Sequence, residues 1–215
     1  MYTRFLTLAL VLLAALSVRG ELLDRIAITV GKDVITEQEI YEQLRIATFL
    51  DGLEPAFTQQ DLRDTADRMV LQRLVLQDMR ANGFPLPSED EMDQTLKQSQ
   101  QVHWGSAEAF WKGAADAGIS PEAMNDFLHN VVATMKYIDF RFRPAVRVAD
   151  SALLERYAAK YNALDPQAGD PPAFEDVRDA LEEEIVAEII DGVVESWLED
   201  ARKRAGVRYK PEVLP

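Results

Sequence analysis

A long series of apolar residues near the C-terminus limits the possible folds more than any other feature of the sequence. Apolar side chains recur every four positions from Val177 to Trp197, flanked by a second series from Val186 to Leu198. This spacing predicts one helix from about Phe174 to Arg204, which would be roughly 45 Å long. Because the apolar stripe is broad, the helix needs partners on more than one of its sides.

Most of the preceding chain also carries helical signals, which are capping residues followed by apolar residues three and four positions apart. The predicted helices begin at Glu37, at Thr58, after Ser88, at Ser106, at Pro121 and after Asp150, and they end near Asp51, Asn82, His103, Gly118, Arg143 and Tyr161. In the fifth of these, the pattern places Met124, Phe127, Leu128, Val131, Met135 and Ile138 on the inner face.

Short β-branched runs lie near both ends of the chain. Ile26–Val30, a turn at Gly31 and the returning Val34–Ile35 predict a small hairpin, and Val207–Tyr209 predicts a short C-terminal strand. We expect the C-terminal strand to pair with Ile26–Val30. The predicted fold is therefore mainly α, a helical core with a short N-terminal strand paired to a short C-terminal strand.

The first twenty residues resemble a secretory signal peptide. Arg4 precedes an apolar run from Phe5 to Leu16, and the small residues Val18 and Gly20 fit cleavage after Gly20. The alternative is an uncleaved anchor, but a run of this length spans about 18 Å as a helix, less than the ~30 Å of a bilayer core. We therefore expect export, cleavage and no stable membrane anchor.

Composition narrows the classes of partner. The chain has no cysteine, so it has neither disulfides nor a lipid-modified cysteine. Its net charge is −14, and cleavage after Gly20 leaves 21 basic and 37 acidic residues, a net charge of −16. Nucleic acid is an unfavourable partner for such a protein because its phosphates would be repelled. Basic or apolar partners remain possible. The alternative interpretation is that the negative charge only keeps the protein soluble.

The sequence offers little for catalysis. His103 and His129 form no recognisable metal pattern, and the consecutive carboxylates Glu182–Glu184 point about 100° apart on a helix, so they do not converge. Ser88, Ser106 and Ser120 are explained as helix caps. Since nucleophile, phosphate-loop and zinc-protease motifs are also missing, we expect no enzyme, no cofactor and no metal site.

Aromatic residues near helix ends are the candidates for binding. A small helical protein need not bury all of them, and contiguous exposed apolar surface often marks an interaction site. The alternative is that they fill the core. The candidate client-binding residues are Trp104, Phe110, Trp111, Phe140 and Phe142.

Four stretches together resemble a known family. They are ELLDRIAITVGKDVITEQEI, LRDTADRMVLQRLVLQDMRANGF, VRVADSALLERYAAKY and FEDVRDALEEEIVAEIIDGVVESWLEDARKRAGVRY. In this order they are similar to the opening strand, second helix, Tyr-Tyr element and closing helix and strand of the SurA-type periplasmic chaperones. The resemblance covers nearly the whole chain after residue 20, although no single motif is highly specific.

The resemblance also points to a missing domain. In that family, parvulin-type prolyl isomerase domains lie between the Tyr-Tyr element and the closing helix, where this chain has only residues 162–173, too few to fold alone. The expected organisation is a signal peptide (1–20), a helical chaperone core (21–161), a linker (162–173) and a closing helix and strand (174–215) that complete the same core.

The function implied by the resemblance is an ATP-independent periplasmic chaperone without isomerase activity. Its partners would be unfolded or partly folded proteins, such as outer-membrane β-barrels. The alternative is a dedicated assembly or scaffold protein that binds one specific periplasmic partner.

Overall fold

The computed structural model describes residues 24–161 and 171–214, and the predicted mainly α fold is confirmed. The strands are β1 (Ile26–Val30), β2 (Asp33–Thr36) and β3 (Arg208–Tyr209). The helices are α1 (Glu37–Leu50), α2 (Gln59–Ala81), α3 (Glu89–His103), α4 (Ala107–Asp116), α5 (Pro121–Phe142), α6 (Asp150–Tyr161) and α7 (Phe174–Ala205). The predicted signal peptide at 1–20 and residues 162–170 of the predicted linker lie outside the described residues.

The two ends of the described chain meet in a small antiparallel sheet of strand order β2-β1-β3. β1 pairs with β2 through Val30 and Asp33, and with β3 through Ile28 and Tyr209. The predicted hairpin and the predicted pairing of the terminal strands are both confirmed. The hairpin turn needs the positive φ of Gly31 (64°), a conformation that glycine adopts without steric cost.

The helix starts follow the capping residues in the sequence. Thr36, Thr58 and Ser88 each form a capping box with an acidic residue three positions later. Ser106 and Ser120 accept single hydrogen bonds at the starts of α4 and α5. Asp150, predicted as a cap, is instead the first residue of α6, and the carbonyl of Ala149 accepts the hydrogen bond from Leu153 at 3.3 Å.

One apolar cluster joins the N-terminal hairpin to the C-terminal end of the chain. Ile28 and Ile35 of the sheet pack with Val70 of α2, Ala201 of α7 and Leu214. The long helix α7 therefore returns to the N-terminal part of the molecule. Packing of this kind explains why its apolar stripe is broad, since α7 also contacts α5 and α6.

α5 changes its buried face along its length, and this corrects one prediction. Its first half buries Met124 and Leu128 against α1 and α4, whereas its second half buries Ala133 and Tyr137 against α2. Met135 keeps the direction of the first half and is 66% exposed, although the pattern placed it inside. The spacing was regular, but the neighbouring helices cover different sides of α5 at its two ends.

α7 shows the same effect. Leu181 and Ile185 pack on Leu153 of α6. A second series on α7 is buried against α2, α5 and the extended residues Val146 and Val148; its members are Val186, Ile190 and Val194. At about 100° per residue, Ile189 and Val193 point between these two faces, and both are exposed. Every fourth residue is apolar, but only those facing a neighbouring element are buried.

Candidate functional site

The structure separates the five candidate aromatic residues into two groups. Trp104, Phe110 and Trp111 share one cluster at the junction of α1, α3, α4 and α5. Phe140 and Phe142 lie at the end of α5 and point to opposite sides of that helix. One continuous aromatic surface containing all five, as the sequence suggested, is therefore not formed.

Trp104 is positioned by ring packing. It occupies the C-cap of α3, and its indole stacks on Phe49 of α1 with ring centroids 4.4 Å apart. Phe110 meets both rings edge to face, and Trp111 in turn packs edge to face on Phe110. The Nε1 atom of Trp104 is buried and has no hydrogen-bond partner among the described residues, so packing alone fixes the indole.

Phe110 is not at the surface. Its side chain is fully buried in this cluster, so the exposure that the sequence suggested is not found. The residue faces inward because α4 packs this side on Phe49 and Trp104. Phe110 supports the two partly exposed tryptophans from below and cannot itself contact a bound chain in this conformation.

An open groove lies beside Trp104, with a volume of about 480 Å³. Its apolar walls are Phe49, Trp104, Leu53 and Pro55, the last two from the connection between α1 and α2. Leu53 is 65% exposed, so its side chain adds accessible apolar surface beside the rings of Phe49 and Trp104. Both signs of charge occur at the rim, where the lining includes Arg45, Glu54 and Asp116. The groove can accept an apolar side chain and leave polar groups near water.

Gly113 makes room for the indole. A Cβ atom at this position would clash with Cζ3 of Trp104, and it would lie 2.7 Å from Cη2 and 3.2 Å from Cε2 of Phe49. Real Cβ contacts almost never approach a ring so closely. The glycine in α4 therefore determines where Trp104 lies and how deep the groove is.

The connection that forms one wall of the groove contains a strained residue. Phe57 has φ of 49°, the only positive φ among the described residues that are not glycine. A bulky residue pays a steric cost there, which surrounding contacts must offset. Its ring packs on Tyr41 of α1 with centroids 5.5 Å apart. This contact fixes the end of the connection that carries Leu53 and Pro55.

The second aromatic group divides between surface and interior. Phe140 is 62% exposed and rests on Phe84, with centroids 4.7 Å apart. Phe142 is half-buried against Trp197 of α7, at 6.0 Å, and the guanidinium of Arg141 lies 5.4 Å from its ring. Phe140 is therefore available to a partner, whereas Phe142 contributes to the contact between α5 and α7.

Sequence reasoning missed three of the groove residues. Phe49 was not part of the predicted inner face of α1, and Leu53 and Pro55 lie in a connection without periodicity. A lone leucine between helices, two residues before a proline, was the available signal for the wall. Nothing in the sequence indicated that Trp104 would stack on Phe49.

The titrating groups with altered pKa values lie outside this groove. The guanidinium of Arg143 hydrogen-bonds to Glu183 and lowers the pKa of that carboxyl, and Arg156 does the same for Glu188. These are surface ion pairs. Within residues 24–161 and 171–214, no group of three or more His, Cys, Asp or Glu side chains could hold a metal ion. His103 packs near Gly52, and His129 lines a different groove.

Two further findings concern the whole chain. None of the helices in the described segments is long and apolar enough to cross a membrane. The sequence matches no protein-family model and no curated protein.

Proposed function

We propose that this protein is an ATP-independent periplasmic chaperone, a holdase that binds unfolded, aromatic-rich chains such as outer-membrane β-barrels. The observation that carries the proposal is the solvent-open groove beside Trp104, walled by aromatic and aliphatic side chains. The order of strands and helices in the protein supports the proposal as well. The closing helix returns to the N-terminal hairpin, as expected for the SurA-like organisation that the sequence resembles.

Binding in the groove and at the separate surface of Phe140 would be weak and adaptable. Leu53 and Phe140 offer apolar surface that water now covers, and a client side chain that covers it gains roughly 25 cal/mol per Å². The ordering of a flexible client offsets much of that gain. Reversible holding follows from this balance, and the acidic surface of the chaperone helps to keep the complex in solution.

Prolyl isomerase activity is not part of the proposal. α6 ends at Tyr161 and α7 begins at Phe174, so the intervening chain is far shorter than a folded domain. The hydroxyl of Tyr157 donates to the carbonyl of Pro172 at 2.7 Å, which ties the two ends of this connection together. A chymotrypsin-coupled peptide assay is expected to show no catalysis above buffer.

The decisive experiment follows light scattering while a urea-unfolded outer-membrane β-barrel is diluted into buffer containing residues 21–215. Suppression of aggregation near equimolar ratio is expected. The double variant Leu53→Ser/Phe140→Ser should raise the concentration needed for half-maximal suppression roughly tenfold, because it removes apolar contacts worth over 1 kcal/mol. Leu154→Ser, an exposed leucine on α6, is the matched control.

Each result decides between defined alternatives. Equal suppression by the double variant and the control would remove the groove and Phe140 from client binding. A folded wild-type protein that suppresses nothing would contradict the holdase proposal. In that case, copurification with a single periplasmic protein would identify a dedicated assembly or scaffold role.

A further inference from the structure

A second groove lies between α1, α2 and α5, on the other side of α1 from Trp104. It consists of two adjoining cavities of about 230 and 170 Å³, which share Gln43, Met69 and Gln72 in their walls. The larger cavity extends toward Asn130 and His129 of α5, and the smaller toward Phe127. Because the two cavities adjoin, they form one channel that is longer than either cavity alone and can accept an extended chain.

Amide side chains from all three helices line this channel. Gln43 belongs to α1, Gln72 to α2 and Asn130 to α5, and none of the three makes a hydrogen bond within the described residues. Each carboxamide has both a donor and an acceptor. A peptide main chain offers the same two groups at every residue, so the amides can bind it in the way that a neighbouring strand does.

The walls between the amides are apolar. Met69 and Leu76 are buried at the base, and Phe127 and Val131 form one side. A methionine side chain adapts to ligands of different shape because it is unbranched and polarizable. The channel therefore combines polar groups that recognise the main chain with apolar surface that makes little distinction between side chains.

Charge at the larger cavity favours a basic residue in the bound segment. Glu42 and Asp126 line it and make no ion pair within the described parts of the chain. Glu39 is paired with Arg73 at 3.1 Å, and Arg68 at the other end donates to Thr65 at 2.9 Å. The two unpaired carboxylates thus give this end of the channel a negative potential.

We propose that this channel, defined by Gln43, Met69, Gln72 and Asn130, binds an extended segment of an unfolded client through its main chain, with a basic side chain at Glu42 and Asp126. The inference rests on the proposed holdase function and adds to it. The groove at Trp104 selects apolar side chains, whereas the channel recognises the feature that all unfolded chains share.

The test measures fluorescence anisotropy with a fluorescein-labelled, end-capped ten-residue peptide of Ser, Thr and Val with one Lys. A second peptide has the same side chains and N-methyl groups on alternate main-chain amides, which removes donors without altering the charge. The wild-type protein should bind the N-methylated peptide about tenfold more weakly, as expected for the loss of one or two hydrogen bonds. Equal binding of the two peptides, or no binding of either, overturns the proposal.

Variants locate the binding. Gln43→Leu/Gln72→Leu preserves side-chain volume and removes the amides, so it should bind the unmethylated peptide about as weakly as the methylated one. Gln94→Leu/Gln98→Leu changes two exposed residues of α3 and is expected to behave as wild type. Unchanged binding by the first variant overturns the proposal. If that variant fails to fold by circular dichroism, the comparison of the two peptides on wild-type protein still decides.

Light scattering separates this inference from the holdase proposal. If the wild-type protein suppresses aggregation but binds the unmethylated and the N-methylated peptide equally, the channel assignment fails and the holdase proposal stands. If it neither suppresses aggregation nor binds the peptides, both fail.

Discussion

Gly113 controls the shape of the Trp104 groove, because its missing Cβ leaves space for the indole. Gly113→Ala should displace the ring and lower the free energy of unfolding by about 1–2 kcal/mol, since the clash outweighs the higher helix propensity of alanine. Gly192→Ala is the matched control, because no atom lies within 4 Å of its Cβ position in α7. That variant should gain about 0.5–1 kcal/mol. Urea unfolding followed by tryptophan emission measures both, and equal stability of the two variants would refute this account.

Glu91 gives the stability a defined dependence on pH. Its carboxylate pairs with Lys136 and accepts from the backbone and hydroxyl of Ser88, which lowers its pKa from 4.5 to about 2. Because the folded protein binds this proton less readily than the unfolded chain, the stabilisation is complete above pH 4.5 and is lost as the pH falls toward 2. In urea melts at pH 6 to 2, Glu91→Gln should differ from wild type at the upper end and converge with it at the lower.

Glu89→Gln is the control for that series. Glu89 lies in the same first turn of α3 but makes no hydrogen bond or ion pair within the described residues. The difference in stability between Glu89→Gln and wild type should therefore not shrink toward low pH in the way expected for Glu91→Gln. A constant gap between Glu91→Gln and wild type across the whole range would show that the ion pair contributes nothing.

Single residues differ in how well the sequence predicts them. The capping boxes at Thr36 and Ser88 were predictable because both partners lie within one helical turn. Exposure of aromatic residues was not, since it depends on neighbours distant in sequence. Phe110 is buried because Phe49 and Trp104 pack against it, whereas Phe140, near the end of α5, rests on Phe84 and keeps most of its ring exposed.

The hairpin of α6 and α7 should be held by apolar packing more than by its ion pairs. Leu153 is 1% exposed and packs on Leu181 and Ile185, while the pair between Arg156 and Glu188 lies at the surface. Leu153→Ala is expected to cost about 3 kcal/mol of local stability and to speed amide exchange across α6. Sodium chloride at 0.5 M should change that exchange little, because exposed ion pairs contribute little.

The adjacent residue supplies the comparison. Leu154 is 55% exposed, so Leu154→Ala should leave exchange in α6 near the wild-type rate. Hydrogen exchange read by mass spectrometry over residues 150–161 separates the two. If the amides of α6 exchange faster in the wild-type protein in 0.5 M sodium chloride than in the Leu153→Ala variant without added salt, ion pairs rather than apolar packing hold the hairpin.

Helices were predictable as units, but their buried faces were not. The periodicity of α5 and α7 fixed where each helix runs, because the pattern repeats over many turns. Met135 and Ile189 nevertheless face solvent, since neither helix keeps one neighbour along its length. The prediction of one buried face per helix holds only where a helix has one neighbour, and α5 and α7 each pack against several elements.

The groove is a property of the assembled molecule. Phe49 and Trp104 come from α1 and α3, Gly113 from α4, and Leu53 from a connection, so no local pattern contains the site. The pairing of β1 with β3 also joins distant parts of the chain, yet it was predictable. Two short β-branched runs in a helical protein have few other strands with which to pair.

That terminal pairing gives the last prediction. Deleting residues 207–215 removes β3, the buried Leu214 and the hydrogen bond from Lys210 to the carbonyl of Ala27 at 2.8 Å. A lost buried leucine and several hydrogen bonds cost at least about 2–3 kcal/mol, so the melting temperature should fall by roughly 5–10 °C. Exchange should also accelerate in β1, at the opposite end of the sequence, because that strand becomes an edge. Glu212→Ala, an exposed change in the same segment, should do neither. If the deletion leaves β1 as protected as the control does, the closing strand does not stabilise the N-terminal hairpin, and the two ends of the chain are only neighbours.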